Sequence, residues 1–436
     1  MLRRSFRKKI ILCLFAFVFS LLFSDWLYFR ERIYPGVFLN HIHLGYKSWQ
    51  EAENILQEYT LELLLPDGRL VPVRLDRLGV NLDIAAILDR AYRCGRNRSL
   101  PFSYLERLQL HLHKEQLQPV YLLDEDKMQA CLSELCSRLA EPPRDAVITI
   151  DQGKAVIIPE KAGYSLQEKA VRQIILQHLG AGSKTPVVAL PTSPIEPELT
   201  VKILEEKQIR SLRGIFTTSF NAPQLERSHN IRLAAGILNN YFIENGEVFS
   251  VNAIVGDTTP EKGYKKAPVI MGAELVPGYG GGLCQVSTTL YNAALLAGLE
   301  IVERHPHGMV IPYVAPGRDA TIAYPDKDLK IRNTTGGTVL ITAETTANDL
   351  TFAVFGLPGA YEITVETEIL QVIMPPTRIR TDPSLPPGEE RLVEGEPGYV
   401  VETRRKFLEN GITVKTEILS VDSYSPYPTV ISQGKH

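Results

Sequence analysis

Residues 278–292 read GYGGGLCQVSTTLYN, and this stretch predicts a tight turn that runs directly into a helix. The three consecutive glycines allow backbone φ angles that other residues avoid, so a ligand or another segment can approach the chain closely. Apolar residues follow at helical spacing from Val286 to Ala297, and Gly298 is a typical residue at a helix end. The pattern therefore predicts a helix with Cys284 in its first turn.

The predicted position of Cys284 is favourable for chemistry, because unpaired N–H groups and the helix dipole at a helix start stabilise a thiolate. A cysteine nucleophile also needs a base and a group that orients the base. His305 and His307 follow the helix, and Asp319 lies in a run that we expect to be a strand. We choose His307 as the base, because it precedes the strand-like run 311–314 and can share a face with alternate strand residues.

One hypothesis is that the chain is a cysteine-dependent amidase, peptidase or transpeptidase. Cys284 is then the nucleophile, His307 the base and Asp319 the orienting group. The backbone amides near Cys284 and Gln285 supply the oxyanion donors. The order of these groups is similar to that of papain-like cysteine amidases, which is a likeness of arrangement only. The residues expected to contact a ligand surround the same turn: Gly280, Gly281, Gly282, Ser287, Thr288 and Arg318.

Two other interpretations fit the same residues. In the first, Cys284 is a small buried side chain in a non-catalytic binding protein, and the glycine turn is a nest of N–H groups that holds a peptide carboxylate. In the second, Cys284, His305 and His307 bind zinc, although their spacing matches no standard zinc cluster. We therefore predict no metal site and no cofactor.

The N-terminus has the order of an export signal, with a cluster of basic residues before the uncharged apolar run 10–24. Trp26, Tyr28 and Phe29 extend this run to about one bilayer thickness, and aromatic residues are favoured at membrane interfaces. The sequence offers no good small-residue cleavage site, so we expect an uncleaved anchor over residues 1–30. Basic residues before the span predict a single pass through the cytoplasmic membrane and an extracytoplasmic body.

Composition and cysteine usage exclude some classes of function. The 47 Lys and Arg residues and 50 Asp and Glu residues give a formal net charge of -3, so no basic excess indicates nucleic acid as a partner. Five cysteines are too few and too scattered for a disulfide scaffold. A bridge from Cys94 to Cys131 or Cys136 stays open, and Cys284 is then the odd thiol.

The pattern along the chain predicts a multidomain α+β protein. Residues 31–195 alternate short strand-like runs with amphipathic helices, and a loose duplication indicates two similar subdomains. A proline-rich linker is expected at 191–197. Residues 202–357 are expected to form a mixed α+β domain, and residues 358–436 a small β module. Within the mixed domain, strand-like runs occupy residues 311–314, 320–323, 339–343 and 350–355.

The middle of the chain resembles the VanW family. Short motifs spread over residues 216–321 carry the resemblance: FTTSF at 216–220, GEVFSVN at 246–252, GGGLCQVSTTLYN at 280–292, Glu303-Arg304, His307 and GRDAT at 317–321. The sequence departs from the family pattern at Asn245, where proline is common, and at Gly308, where serine is common. The family takes its name from a vancomycin-resistance cluster, and the resemblance leaves enzyme or binding protein open.

Two flanking regions resemble modules that bind the cell wall. Residues 144–194, which include VIIPEKAGY at 156–164, resemble a peptidoglycan-binding repeat. Residues 382–411 resemble the G-five domain, which is proposed to bind N-acetylglucosamine, and Tyr361 and Tyr399 can stack on sugar rings. The resemblances imply that peptidoglycan is the partner, through its glycan or its stem peptide. They also imply that the protein binds or remodels the wall, with a link to the glycopeptide-antibiotic response.

Overall fold

The protein is a mixed α and β multidomain chain, as predicted, with an apolar helix at the N-terminus and a β-rich module at the C-terminus. The computed structural model describes residues 2–99, 102–152, 154–180, 185–271 and 274–434. The helices are α1 Leu2–Phe29, α2 Trp49–Gln57, α3 Ile84–Arg93, α4 Phe102–Leu112, α5 Glu125–Leu139, α6 Glu168–Gly180, α7 Val201–Glu206, α8 Leu225–Leu238, α9 Val251–Val255 and α10 Leu283–Leu296.

The strands of the first half of the chain are short. They are β1 Val37–Leu39, β2 Ile42–His43, β3 Thr60–Leu64, β4 Leu70–Arg74, β5 Val80–Leu82, β6 Glu115–Leu117, β7 Tyr121–Leu123, β8 Val147–Asp151, β9 Lys154–Ile158, β10 Gly163–Leu166, β11 Val187–Ala189 and β12 Thr192–Ile195.

The strands of the second half lengthen toward the C-terminus. They are β13 Ser211–Ser219, β14 Tyr241–Ile243, β15 Val248–Ser250, β16 Lys266–Met271, β17 Glu274–Tyr279, β18 Glu300–Glu303, β19 Lys330–Arg332, β20 Val339–Thr345, β21 Asp349–Gly356, β22 Glu362–Ile373, β23 Thr377–Thr381, β24 Glu390–Val393, β25 Gly398–Glu409, β26 Ile412–Tyr424 and β27 Thr429–Gln433.

The chain divides into two compact units. The first contains the residues up to Arg144 and Lys161–Pro197, and the second contains Asp145–Glu160 and the residues from Glu198 on. The hairpin β8–β9 therefore groups with the second unit, where Ile148 packs in one cluster with Leu204 and Phe355. The helix α6 groups with the first unit. The strand and the helix of the second predicted subdomain thus lie in different units.

In the first unit, small sheets and helices enclose two hydrophobic clusters. The sheets have the orders β2-β1-β6, β11-β3-β4, β5-β7 and β10-β12. One cluster joins α2 and α3 to β1, and the other joins α5 and α6 to β3 and β10. Helix α2 begins where the sequence supplies a capping box, in which Ser48 and Glu51 each accept a hydrogen bond from the other's backbone N–H.

Three predictions about the first unit can be compared with the structure. Helix α1 contains one segment, Leu12–Phe29, that is long and apolar enough to cross a membrane. All five cysteines are free thiols, so Cys94 forms no disulfide with Cys131 or Cys136. The predicted linker at 191–197 contains strand β12, which pairs antiparallel with β10 and sets Pro194 opposite Tyr164. A proline fits there because β12 is an edge strand that needs no hydrogen bond from that nitrogen.

The second unit places α10 on an antiparallel sheet of order β13-β21-β20-β14. Helix α10 packs against β13 and β21, and α8 packs against β20. Gly214 in β13 permits this approach, because a Cβ atom there would lie 2.5 Å from the carbonyl oxygen of Ala293. Leu290 and Phe352 are completely buried in the resulting core, and burial of each stabilises the fold by about 2 kcal/mol.

The C-terminal module consists of two three-stranded sheets, β22-β25-β26 and β23-β27-β24. The strands predicted at 339–343 and 350–355 correspond to β20 and β21. The strands predicted at 311–314 and 320–323 are wrong, since these described residues form loop and turn except for an isolated bridge from Ala323 to Lys327. Side chains of α10 bind the backbone of the second segment instead: the hydroxyls of Ser287 and Thr288 donate to the carbonyl oxygen of Ala320.

Candidate active site

Cys284 lies in the first turn of α10, as the sequence predicts. Gly282 precedes the helix with a φ of 109°, a left-handed conformation that favours glycine. Cys284 is the second helical residue, a position where the backbone N–H has no acceptor within the helix. The thiol is partly exposed and its Sγ lies 3.6 Å from the carbonyl oxygen of Ile322.

His307 connects Cys284 to Asp319. The Nδ1 atom of His307 lies 2.6 Å from Oδ2 of Asp319, and the backbone N–H of His307 donates to the same oxygen over 2.6 Å. The imidazole also interacts with the side chain of Cys284. Because Nδ1 is bound to Asp319, Nε2 is the nitrogen left for the thiol. The structure thus brings the predicted nucleophile, base and orienting group together.

Charge in this cluster fixes the protonation of His307. Burial alone would lower the pKa of His307, but the hydrogen bond to Asp319 and the interaction with Cys284 outweigh it and raise the pKa to about 9. The Asp319 carboxylate is also buried, which would raise its pKa. Hydrogen bonds from His307 and the charge of Arg304 reverse this effect and lower the pKa of Asp319. At neutral pH a His307 imidazolium therefore stands beside the anionic carboxylate of Asp319.

Asp319 is held from its other side by Arg304 and by Tyr424 of the C-terminal module. Arg304 donates to Oδ1 of Asp319 over 2.9 Å and to Asp422 over 2.6 Å. The hydroxyl of Tyr424 donates to Oδ1 of Asp319 and accepts the N–H of Gly317 over 2.8 Å. Arg304, Asp319 and Asp422 are all buried, so removal of one partner would leave an uncompensated charge.

The partly exposed thiol opens into a cleft of about 1200 Å³. Cys284 and His307 line it, and Phe220, Tyr313 and Tyr324 supply aromatic surface. Arg227 on α8 also lines the cleft and donates to Oε1 of Gln285 over 2.8 Å. A cleft of this size accommodates a short peptide or a sugar-peptide fragment.

The other predicted site residues divide into two groups. Gly280, Gly281 and Gly282 line the cleft. Ser287 and Thr288 are fully buried, and their hydroxyls hold the loop at Ala320 against α10 through hydrogen bonds. Ser287, Thr288 and Arg318 are not among the described residues that line the cleft. Arg318 instead donates to Oδ1 of Asn292 and to the carbonyl oxygen of Val365.

Gln285 is predicted to supply a backbone oxyanion donor. Its N–H instead donates to the carbonyl oxygen of Gly282 over 3.0 Å. Its side-chain amide donates to Thr218 and to the carbonyl oxygen of Ser219. Gln285 therefore ties α10 to β13, and the N–H of Cys284 remains as the predicted oxyanion donor.

Two further predictions concern secondary structure and His305. The prediction of a strand around Asp319 is wrong, because the backbone N–H of the next residue, Ala320, donates to the hydroxyl of Thr288 rather than to a partner strand. His305 pairs with Glu303 over 3.0 Å, whereas His307 reaches Cys284. The described residues contain no group of three His, Cys, Asp or Glu side chains that could hold a metal ion.

Several residues of the site have no clear signal in the sequence. Arg304 belongs to the Glu303-Arg304 motif, and this motif was the signal in the sequence that pointed to it. Arg227 and Tyr313 stand in the sequence without a motif that points to Cys284. Tyr424 is 105 residues from Asp319, and the pattern of β26 gives no sign that its end reaches the site.

Comparison with known proteins reveals the family. Residues 226–355 match the family model described as "VanW like protein". The chain is 36% identical over 223 residues to the Bacillus subtilis protein YoaR, described as uncharacterized, and the alignment covers 51% of this chain and 72% of YoaR. The chain belongs to the VanW-like family.

The VanW-like chain has a second relative, the vancomycin B-type resistance protein VanW of Enterococcus faecalis. The two are 35% identical over 124 residues, which is 27% of this chain and 45% of that protein. The chain therefore spans less than half the length of this relative.

The flanking regions of the VanW-like chain also match known domains. Residues 71–188 match the family described as "Putative peptidoglycan binding domain", and residues 362–436 match the G5 domain. A solved G5 domain of an IgA1 protease is 29% identical and covers 18% of this chain and 98% of that structure, with a TM-score of 0.13. The three resemblances predicted from the sequence are confirmed by the family matches.

Proposed function

We propose that this VanW-like protein is a cysteine-dependent amidase, peptidase or transpeptidase that acts on the stem peptides of peptidoglycan. One observation carries the proposal: a buried histidine bound through Nδ1 to a buried aspartate interacts with a cysteine at a helix start that opens into a cleft. This is the arrangement by which a cysteine nucleophile is activated. The match of residues 71–188 to a peptidoglycan-binding family supports the choice of substrate.

The proposed reaction begins with attack of the Cys284 thiolate on the carbonyl carbon of a stem-peptide amide. A C–S bond forms, and negative charge develops on the carbonyl oxygen near the Cys284 N–H. The C–N bond then breaks, and His307 gives its proton to the departing amine. A thioester remains on Cys284.

The second half of the reaction releases the thioester. Water or the amine of a second peptide attacks the thioester carbonyl, and His307 takes up the proton of the attacking group. The C–S bond breaks and Cys284 leaves as a thiolate. Attack by water gives hydrolysis, and attack by an amine gives transpeptidation.

Location forms part of the proposal. The apolar helix α1 is a signal or an anchor, and together with the wall-binding match it indicates an extracytoplasmic body. We assign it as a single-pass anchor in the cytoplasmic membrane, supported by the basic residues that precede it. The similarity to a vancomycin resistance protein supports a further link to the glycopeptide response.

Incubation of the full chain with purified muropeptides tests the chemistry. The wild type should convert muropeptides into new products separable by chromatography. Cys284→Ala and His307→Ala should each reduce turnover by about 10⁴-fold or more, because the two residues act as one unit. His305→Ala and Cys131→Ala are matched controls and should keep turnover, since His305 binds Glu303 and Cys131 lies in α5 of the other unit.

A non-catalytic wall-binding protein is the second candidate function, favoured by the two flanking family matches. Under this alternative the wild type leaves every muropeptide unchanged, while both the wild type and Cys284→Ala pellet with purified wall. Turnover by wild type that disappears in Cys284→Ala would exclude it.

A further inference from the structure

Arg227 is a cation in the cleft that has no carboxylate partner among the described residues. Within the described part of the chain its guanidinium donates one hydrogen bond, to Oε1 of Gln285, which is a neutral acceptor. A guanidinium has five N–H donors, so most of its capacity is unused. Arg304 and Arg405 of the same unit are each paired with a carboxylate, whereas Arg318 uses two of its nitrogens on the oxygens of Asn292 and Val365.

The fold holds Arg227 next to the nucleophile. Its backbone and side-chain stem lie against Gly282, the residue before α10, where a Cβ atom would be 3.2 Å from Cγ of Arg227. Its charge interacts with both Cys284 and Tyr313. Desolvation lowers the pKa of Arg227, which is the effect expected of a charge that the protein itself does not compensate.

A second polar group beside the thiol lacks a partner. Oγ1 of Thr321 is buried and has no hydrogen-bond partner in the described part of the chain, and Thr321 lines the cleft. The next residue is Ile322, whose carbonyl oxygen accepts from Sγ of Cys284. Arg227 and Thr321 thus both line the cleft that contains Cys284, and a carboxylate bound in the cleft would pair with the guanidinium of Arg227.

We propose that Arg227 binds a carboxylate of the substrate, and that the substrate is a peptide with a carboxylate beside the bond that Cys284 attacks. The inference deepens the proposed function and rests on it for the identity of the cleft as a substrate site. Two sources supply the same chemistry: the carboxylate of a peptide chain end, and the side-chain carboxylate of an acidic residue.

Competitive alkylation of Cys284 tests the charge preference without any need for turnover. The full chain in non-ionic micelles is treated with equal concentrations of iodoacetate and iodoacetamide. The ratio of the two products on the Cys284 peptide is read by mass spectrometry and divided by the ratio in unfolded chain. Both reagents consume the same thiolate, so the ratio cancels any effect of Arg227 on the reactivity of the thiol.

The wild type should prefer iodoacetate over the unfolded reference by roughly fivefold to tenfold, the factor that the net contribution of one typical hydrogen bond gives. Arg227→Met should reduce the preference to the part that the protonated His307 supplies, and Arg227→Lys should keep more of it. Arg232→Met is the matched control and should behave as wild type, because Arg232 lies on the same helix, is exposed and binds the carbonyl oxygen of Ala347.

Protection experiments then distinguish the two sources of the carboxylate. N-acetylalanine carries a chain-end carboxylate, N-acetylisoglutamine a side-chain carboxylate, and N-acetylalaninamide neither. Protection of Cys284 from iodoacetamide by either acid, lost in Arg227→Met, supports the proposal and identifies the source.

An iodoacetate ratio equal to that of the unfolded chain, or equal in wild type and Arg227→Met, overturns the carboxylate site. Equal protection by the neutral amide also overturns it. A failure to turn over muropeptides affects only the proposed function, because the alkylation ratio is measured independently of catalysis.

Discussion

His307 couples the chemistry of the site to the stability of the protein. Its side chain is buried between Asp319 and Cys284, two groups that interact best with an imidazolium. The folded pKa of about 9 lies above the value of about 6.5 for an unfolded histidine. Folding therefore takes up a proton between these two pH values.

Stability should fall as pH rises through this window. The contribution of protonated His307 is fully present below pH about 6.5 and is lost as pH rises through about 9. Its size is on the order of 3 kcal/mol. Calorimetric melting of the wild type from pH 6 to 9.5 should show the loss, and His307→Gln should show a flatter profile. Parallel profiles would mean that His307 is not charged in the folded protein.

At the scale of elements, the start of α10 depends on the backbone of Gly282. The glycine turn directs the chain so that Cys284 enters the helix at its second position and faces the cleft. A Cβ atom on Gly282 would lie 2.8 Å from Cγ1 of Ile231, in addition to the strain of its positive φ. Another residue at this position should shift α8 against α10.

Gly282→Ala should destabilise the protein by about 2–4 kcal/mol, the sum of backbone strain and steric conflict. Gly236→Ala is the matched control on α8, where a Cβ atom meets nothing within 4 Å. It should stabilise the protein by about 0.5–1 kcal/mol, because alanine favours a helix over glycine. Thermal unfolding measures both, and a rise in melting temperature for Gly282→Ala would contradict this account.

At the scale of the whole molecule, the C-terminal module supports the site of the VanW-like domain. Tyr424 and Asp422 on β26 bind Asp319 and Arg304, and Thr403 on β25 donates to the carbonyl oxygen of Gly317. These contacts join strands near the chain end to the loop that carries the orienting carboxylate. The module is therefore structurally part of the site.

Tyr424→Phe should destabilise the second unit by about 1–3 kcal/mol, because it leaves buried groups at Asp319 and Gly317 without their partner. It should also change the rate at which iodoacetamide alkylates Cys284 as a function of pH. Tyr399→Phe is the matched control, since Tyr399 lies opposite Tyr424 on the neighbouring strand β25. Identical behaviour of the two variants would show that the hydroxyl of Tyr424 does not position Asp319.

The proposed anchor makes a prediction about topology. Protease added to intact protoplasts should digest the chain beyond about Tyr28, because the basic residues before the span keep the N-terminus in the cytoplasm. Immunoblots with antibodies against the C-terminal module and against a cytoplasmic marker measure this. Protection of the C-terminal module in intact protoplasts would reverse the assigned orientation.

The sequence by itself determined the features that depend on neighbouring residues. The glycines before Cys284 and the apolar spacing after it specify the start and length of α10. The order of the residues along the chain pointed to Cys284, a histidine and Asp319, but the strand at 311–314 on which the choice of His307 over His305 rested is not formed. The apolar N-terminal helix follows in the same way from composition alone.

Only the tertiary structure decided the features that depend on distant contacts. Residues around Asp319 look strand-like, but side chains of α10 bind their backbone and leave them as a loop. Arg227 and Tyr424 reach the site from a different helix and a different module. Burial and charge pairing of this kind depend on residues that are distant in the sequence, so the local periodicity of the sequence does not predict them.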